Sequence, residues 1–243
     1  MIPKKTLVII PARGGSKRIP RKNIKQICGQ PMIFWPLMEL AKIFKSNQIL
    51  VSTDDQEILD LVATKGLSFD FLRPQHLADD FTGTIPVASN ALEWFEQNYD
   101  IVDFVLIVYP TAVLLSSEDI LDAFRLLINN VKANLVISAT TFASPIQRAL
   151  FINKNEYAEM YHPENYSLRS QDLTESFHDA GQFYLYRSKS LRLHETMATT
   201  NTILKILNRN YVIDIDTVED LEIAESKMKS LGFKIKDTDW NFE

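Results

Sequence analysis

Thr6-Leu7-Val8-Ile9-Ile10, followed at once by Pro11-Ala12-Arg13-Gly14-Gly15-Ser16-Lys17-Arg18-Ile19-Pro20-Arg21-Lys22-Asn23, is the stretch on which the fold turns. The first five residues form a β-branched apolar run, the composition of a strand covered on both faces. The loop after it holds adjacent glycines, Gly14 and Gly15, in a chain that has only seven. With no Cβ in the way, neighbouring amides there can turn toward one anion. Arg13, Ser16, Lys17 and Lys22 add donors and positive charge around that turn. A triphosphate needs such an arrangement, with a charge-assisted partner on each phosphate. The string is neither the GxGxxG dinucleotide fingerprint nor the GxxxxGK[ST] loop. The plainer reading of the same string is a glycine turn flanked by solvated lysines and arginines.

Outward from this loop, strand and helix patterns alternate. Thr6–Ile10, Gln48–Ser52, Phe104–Val108 and Leu135–Thr140 read as strands. Met32–Phe44, Gln56–Lys65, Thr84–Gln97 and Glu118–Asn130 read as helices, the second starting after Asp54 or Asp55 as its N-cap. That alternation predicts an α/β fold, a mostly parallel twisted sheet with helices on both faces. Ligands on such sheets bind beyond the carboxyl ends of the strands. The 243 residues, 46% of them hydrophobic, are read as one domain. The pattern breaks over 142–181, which reads as an inserted arm. Gln182–Arg187 alternates like a half-buried antiparallel strand, and Thr217–Leu231 closes the fold as a helix with Thr217 and Asp220 as a capping box. The tail from Lys234 onward is polar, with Trp240 and Phe242 placed to dock.

Asp214-Ile215-Asp216 lies between a short apolar stretch and that last helix. Alternate residues of an extended segment share a face, so the two carboxylates repel unless a cation sits between them. Mg²⁺ typically takes one or two carboxylates plus substrate phosphates. The other reading is that Asp216 caps the helix and Asp214 is a surface residue. Arg73 reads as a surface arginine or a nucleotide contact, Thr84 as a helix cap or a nucleotide contact, and Asp54 as a helix cap or a ribose ligand.

The formal net charge is −5, which excludes a basic nucleic-acid-binding coat or an anionic membrane partner. The apolar run Phe104–Leu115 is broken by Pro110 and Thr111 and is too short to span a bilayer. A single cysteine, Cys28, allows no internal disulfide and fits a reducing cytosol. The expectation is a cytoplasmic protein.

The Pro11–Asn23 string resembles the N-terminal signature of the acylneuraminate cytidylyltransferase family. Val51–Asp55 (VSTDD), Phe71–Thr84 (FLRPQHLADDFTGT) and Ile213–Leu221 (IDIDTVEDL) resemble further family motifs, in the family's order. The resemblance implies a nucleotidyltransferase-like three-layer fold and transfer of CMP from CTP to the anomeric hydroxyl of a nonulosonic acid. It implies a CTP site at Ala12, Arg13, Gly14, Gly15, Ser16, Lys17, Lys22, Asn23, Arg73 and Thr84. Arg13 and Lys22 would act on the phosphates, and Asp214 and Asp216 would hold Mg²⁺. The family's QPTSPLR-like string is replaced here by Tyr109-Pro110-Thr111-Ala112-Val113-Leu114-Leu115, so its Gln and Arg are missing. Pro145–Leu150, Pro163–Leu173 and Phe177–Tyr184 instead resemble the pseudaminic acid branch; N-acetylneuraminate and legionaminate are the alternative sugars. On the sugar, Arg148 or Arg169 would pair with the carboxylate, and Gln147, Gln171, Asp179 and Gln182 would bond amides and hydroxyls. Tyr161 and Phe183 would form apolar walls, and His178 reads as a structural histidine or a general base. In the family the arm also makes dimer contacts, which implies a homodimer. Two other classes fit part of the pattern: a glycosyltransferase with a DxD metal site, and a nucleotide-binding regulator without catalysis.

Overall fold

The computed structural model describes residues 2–233 and 240–242. Both faces of the first strand are apolar, and this keeps β1 (Thr6–Pro11) away from the sheet's edge. After it come a small hairpin of β2 (Gln26–Ile27) and β3 (Gln30–Pro31), then β4 (Ile49–Ser52), β5 (Phe104–Val108) and β6 (Leu135–Thr141). The arm carries a second hairpin, β7 (Leu150–Ile152) with β8 (Ala158–Met160). β9 (Phe177–Arg187) and β10 (Thr202–Ile206) complete the main sheet, whose order is β10-β6-β9-β5-β1-β4. β1 is parallel to β4 and β5, and β6 is parallel to β10. Among the described strands of this sheet, only β9 runs antiparallel to its neighbours, β5 and β6.

The helices are α1 (Phe34–Ala41), α2 (Gln56–Ala63), α3 (Thr84–Asn98), α4 (Ser117–Asn129), α5 (Ser188–Arg192) and α6 (Val218–Ser230). Val8 and Ile10 face one layer with Leu37 of α1, Ile58 of α2 and Phe124 of α4. Leu7 and Ile9 face the other with Ala88 and Leu92 of α3 and Leu191 of α5. This is the mostly parallel, three-layer arrangement expected from the alternation. Trp240 meets Phe34 edge-on at 5.5 Å, and Phe242 is buried in the first layer. The polar run 234–239 lies outside the described residues.

Three details differ from the sequence reading. Gln182–Arg187 is not half-buried: it belongs to a longer strand in the middle of the sheet, with Phe183 and Leu185 on one side and Tyr184 and Tyr186 on the other. The arm therefore ends where β9 begins, at Phe177. β10 has no counterpart in the sequence reading, because a five-residue edge strand with a lysine in it carries little periodicity; Lys205 pairs there with Asp119 and Asp122 of α4.

α6 begins as expected. The Thr217 hydroxyl accepts from the Asp220 amide at 3.2 Å, and the Asp220 carboxylate accepts from the Thr217 amide at 2.8 Å. Thr217→Ala removes both the cap and its hydroxyl contact with Asp220. It is expected to lower the unfolding free energy by about 1 kcal/mol, read as a shifted urea midpoint at unchanged m.

Candidate functional site

The loop after β1 is fixed from below by the turn after β4. The Ala12 amide donates to the Ser52 carbonyl at 2.9 Å, and the Gly14 amide donates to Asp54 Oδ1 at 2.9 Å. Asp55 caps α2 by accepting from the Glu57 amide at 2.9 Å, and its carboxylate also pairs with Arg21. Asp54 is thus not the helix cap: one of its carboxylate oxygens anchors the loop. Gly14 is required for a steric reason, since a Cβ there would lie 2.9 Å from Asp55 Cβ. Gly15 has open space around it. The expected turning of both glycine amides toward a ligand is seen only in part, because Gly14 already gives its amide to Asp54.

Above this floor lies a cavity of about 450 Å³. Arg13, Ser16, Lys17, Lys22, Asn23, Arg73 and Thr84 line it, as do Arg18, Asp80, Thr82, Tyr109 and Thr111. Ala12 is fully buried beneath the cavity, and Gly14 and Gly15 do not line it. Asn23 is buried and its Nδ2 donates to the Arg13 carbonyl at 2.9 Å, so it shapes the loop as well as facing the cavity. Arg73 is not a surface residue. It is 5% exposed, and Nε donates to Ser52 Oγ at 3.1 Å. Burial pulls its guanidinium down to about 10, the charge of Arg13 adds to this and Asp54 opposes it. It stays charged at neutral pH, a buried cation facing a cavity with no carboxylate in ion-pair contact among the described residues. Thr84 opens α3 and shares a 2.6 Å hydrogen bond with the Tyr109 hydroxyl.

The acidic couplet joins this cavity through Lys22. Its Nζ donates to the Ile215 carbonyl at 2.8 Å and to Asp216 Oδ1 at 3.1 Å. Arg18 pairs with Asp216 Oδ2 at 2.9 Å. No ion pair reaches Asp214 among the described residues; burial, then the charge of Asp216, push its carboxyl above the usual range. An uncompensated oxygen ligand beside a second carboxylate fits a hard divalent cation that also takes phosphate oxygens. The β6–β9 pairing explains how the couplet is reached. Between one pair of partners, Ile137–Tyr184, and the next, Ala139–Asp179, β6 advances two residues and β9 five. Gly181, at φ 61, lies in that bulge, and a Cβ on it would come within 3.9 Å of Asp214. Ser138 Oγ accepts from the amides of Gln182 and Phe183, satisfying the bulged backbone.

A second cavity of about 410 Å³ shares Gly83, Thr84 and Tyr109 with the first. Ile85, Ile107, Ile137, Tyr186 and Met197 give it apolar walls, and Asp179 and Tyr184 a polar corner. The Tyr184 hydroxyl donates to Asp179, and burial of this phenol raises its pKa strongly. The remaining expected sugar contacts lie elsewhere. Gln182 is 2% exposed and donates to the Tyr211 carbonyl at 2.7 Å, steadying the segment before Asp214. Phe183 is core. Gln147 bonds the Thr174 carbonyl and Ser176, Arg148 the Leu168 carbonyl, and Arg169 the Asp172 carboxylate at 2.7 and 3.0 Å. Gln171 lines a separate pocket in the arm, and Tyr161 packs on Phe151. None of these arm residues lines the two cavities. His178 is held by the Asp179 carbonyl at 2.8 Å and by the Phe142 ring. Sequence reasoning missed Asp80 and Tyr109. Both stand inside strings it had singled out, but a second aspartate in a loop and a tyrosine after a strand carry no signal of direction.

Known proteins resemble this chain in sequence and in fold. Residues 7–230 match the cytidylyltransferase family. The chain is 38% identical over 221 residues to the pseudaminic acid cytidylyltransferase of Campylobacter jejuni, covering 91% of this chain and 95% of that one. It is 28% identical over 230 residues to the CMP-N,N'-diacetyllegionaminic acid synthase of Legionella pneumophila, covering 92% and 96%. A CMP:2-keto-3-deoxy-manno-octonic acid synthetase solved with CTP has a similar fold, with a TM-score of 0.67 at 18% identity over 94% of this chain and all of that one. Matched from the first strand to the last helix, the chain belongs to the cytidylyltransferase family.

Proposed function

We propose that this protein transfers CMP from CTP to the anomeric hydroxyl of pseudaminic acid, releasing pyrophosphate. The observation that carries the reading is the double grip of Lys22 on the Ile215 carbonyl and on Asp216, which ties the cationic loop to the acidic couplet at the edge of the first cavity. The relatives' names supply the chemistry: one at 38% identity is named a pseudaminic acid cytidylyltransferase and another a CMP-sugar synthase.

In this reading the nucleotide lies in the first cavity, with Arg13, Lys17 and Lys22 on its outer phosphates and Arg73 on an acceptor of the base or ribose. The sugar lies in the second cavity, its N-acyl groups against the apolar wall and its hydroxyls toward Asp179 and Tyr184. The anomeric oxygen attacks the α-phosphorus in line and pyrophosphate leaves. The protein's part is positioning and charge, since phosphoryl chemistry asks little covalent work of it. Mg²⁺, held by Asp214 and Asp216, supplies neutralisation of the phosphate oxygens when bound. Arg13 and Lys22 take up the charge that develops on the departing pyrophosphate. The enzyme works in the cytoplasm as a homodimer. The single cysteine supports the first, and the exposed Leu150, Ile152, Tyr157 and Tyr166 of the arm support the second. Arg148 or Arg169 of one arm then serves the sugar carboxylate in the neighbour's cleft. Among the described residues no helix is long and apolar enough to cross a membrane.

The test is pyrophosphate release from CTP and Mg²⁺ with pseudaminate, N,N'-diacetyllegionaminate or N-acetylneuraminate in turn. Pseudaminate is expected to give the highest kcat/KM. Release with a different sugar as the best acceptor corrects the substrate. CTP binding without release under any of the three makes the protein a nucleotide-binding regulator, and turnover of a nucleotide-sugar without pyrophosphate makes it a glycosyltransferase.

A further inference from the structure

The loop's cations are already matched by carboxylates of the same chain. Arg18 and Lys22 hold Asp216, and Arg21 holds Asp55 and Glu57. Arg13 and Lys17 hold Asp80, whose two oxygens divide between them, Oδ1 at 2.7 Å from Arg13 and Oδ2 at 2.5 Å from Lys17. The first two sets tie the loop to its structural neighbours. Asp80 is different. It lines the first cavity, on the segment that runs into α3. That segment is shaped to present it. Asp79 Oδ1 accepts from the Phe81 and Thr82 amides at 2.9 and 2.6 Å, which turns the chain, and the Asp79 carbonyl receives Arg13 at 2.8 Å. A carboxylate that places one oxygen on each of two cations has the form of a phosphate bridging the same pair. In the function proposed above, the outer phosphates would meet the same two cations.

We propose that Asp80 is a displaceable counter-ion that makes the loop select polyphosphates. A ligand gains Arg13 and Lys17 only by displacing Asp80, so it has to bring more charge there than one carboxylate. The triphosphate of CTP and free pyrophosphate do so. CMP, whose single phosphate does not extend to Arg13 and Lys17, is indifferent to Asp80. The same competition helps the product leave: once the α–β bond is broken, Asp80 competes with pyrophosphate for both cations. This rests on the reading that the cavity holds CTP with its outer phosphates on the loop.

The experiment is calorimetric titration of the protein at low ionic strength with CTP, pyrophosphate and CMP, for the native chain, Asp80→Asn and Asp80→Glu. In Asp80→Asn, CTP and pyrophosphate are expected to bind about three- to tenfold more tightly, the size of two part-exposed ion pairs released from competition, with CMP unchanged. Asp80→Glu, which keeps the charge, is expected to stay near the native values. Unchanged or weaker binding of CTP and pyrophosphate in Asp80→Asn overturns the proposal and makes Asp80 a residue that positions Arg13 and Lys17. Equal tightening of CMP also overturns it, as a general loosening of the cavity. If the native chain itself fails to bind CTP, the nucleotide reading falls and this inference falls with it. Native CTP binding without tightening in the variant sinks the inference alone.

Discussion

Asp214→Asn is expected to cut turnover at least ~100-fold and yet to raise slightly the melting temperature of the metal-free protein. Both effects come from one fact. Asp214 has no cation in ion-pair contact among the described residues and sits beside Asp216, so burial and like charge both disfavour its ionised form. Its pKa in the folded chain lies above the ordinary value of 3.8. The folded state therefore binds this proton more readily than the unfolded one. Stability from this group is highest at acid pH and falls as pH rises from 3.8 through the raised folded value. Asparagine removes that fall. With EDTA present, the melting curves of the native chain and the variant should converge at low pH and separate toward neutrality. The gap is on the order of 1 °C, because the group is open to solvent on one side. Asp216→Asn should lose as much turnover and shift stability the other way, since its carboxylate holds both Arg18 and Lys22. Near-normal turnover in either variant would remove the metal assignment, and equal stability shifts would remove the asymmetry between the two aspartates.

That asymmetry between two neighbouring aspartates could not be read from Asp214-Ile215-Asp216. The spacing says that two carboxylates share a face. Which of them is neutralised depends on where Arg18 and Lys22 come down, and they approach from a loop nearly two hundred residues earlier. The sheet was more legible. Continuous apolar runs such as Phe104–Val108 read as strands covered on both sides because they are short, β-branched and bounded by polar or turn residues. The Thr217–Asp220 box was legible for the same local reason. β9 was misjudged as half-buried because Tyr184 and Tyr186 look polar in a pattern, while in the fold their rings form sheet surface and only the hydroxyls seek partners. The arm's arginines and glutamines are polar residues in an irregular segment, and sequence cannot tell whether such groups bond a ligand or each other. Here Gln147, Arg148 and Arg169 bond other groups of the arm itself.

Gly14→Ala is expected to weaken CTP binding by at least ~10-fold and to lower stability by about 1–3 kcal/mol, the usual range for an overpacked contact. The backbone is not the obstacle, since Gly14 is not among the residues with positive φ. The obstacle is Asp55. An alanine Cβ would lie 2.9 Å from Asp55 Cβ and closer still to its carboxylate, which is held by Arg21 and by the Glu57 amide at the start of α2. A capped helix end does not move readily, so the loop yields. The Gly14 amide then leaves Asp54, and Arg13, one residue away, loses its place in the cavity. Calorimetry with CTP and urea unfolding measure the two losses. A second substitution separates this cause from general damage. Asp55→Gly removes both the clashing Cβ and the carboxylate, and glycine is itself a tolerated N-cap for α2. In Gly14→Ala/Asp55→Gly, CTP affinity should recover to that of Asp55→Gly alone, because the two sites are coupled through one contact. Additive losses in the double variant would mean that Gly14 is needed for contact with the nucleotide itself, and that the floor beneath the loop is not what shapes it.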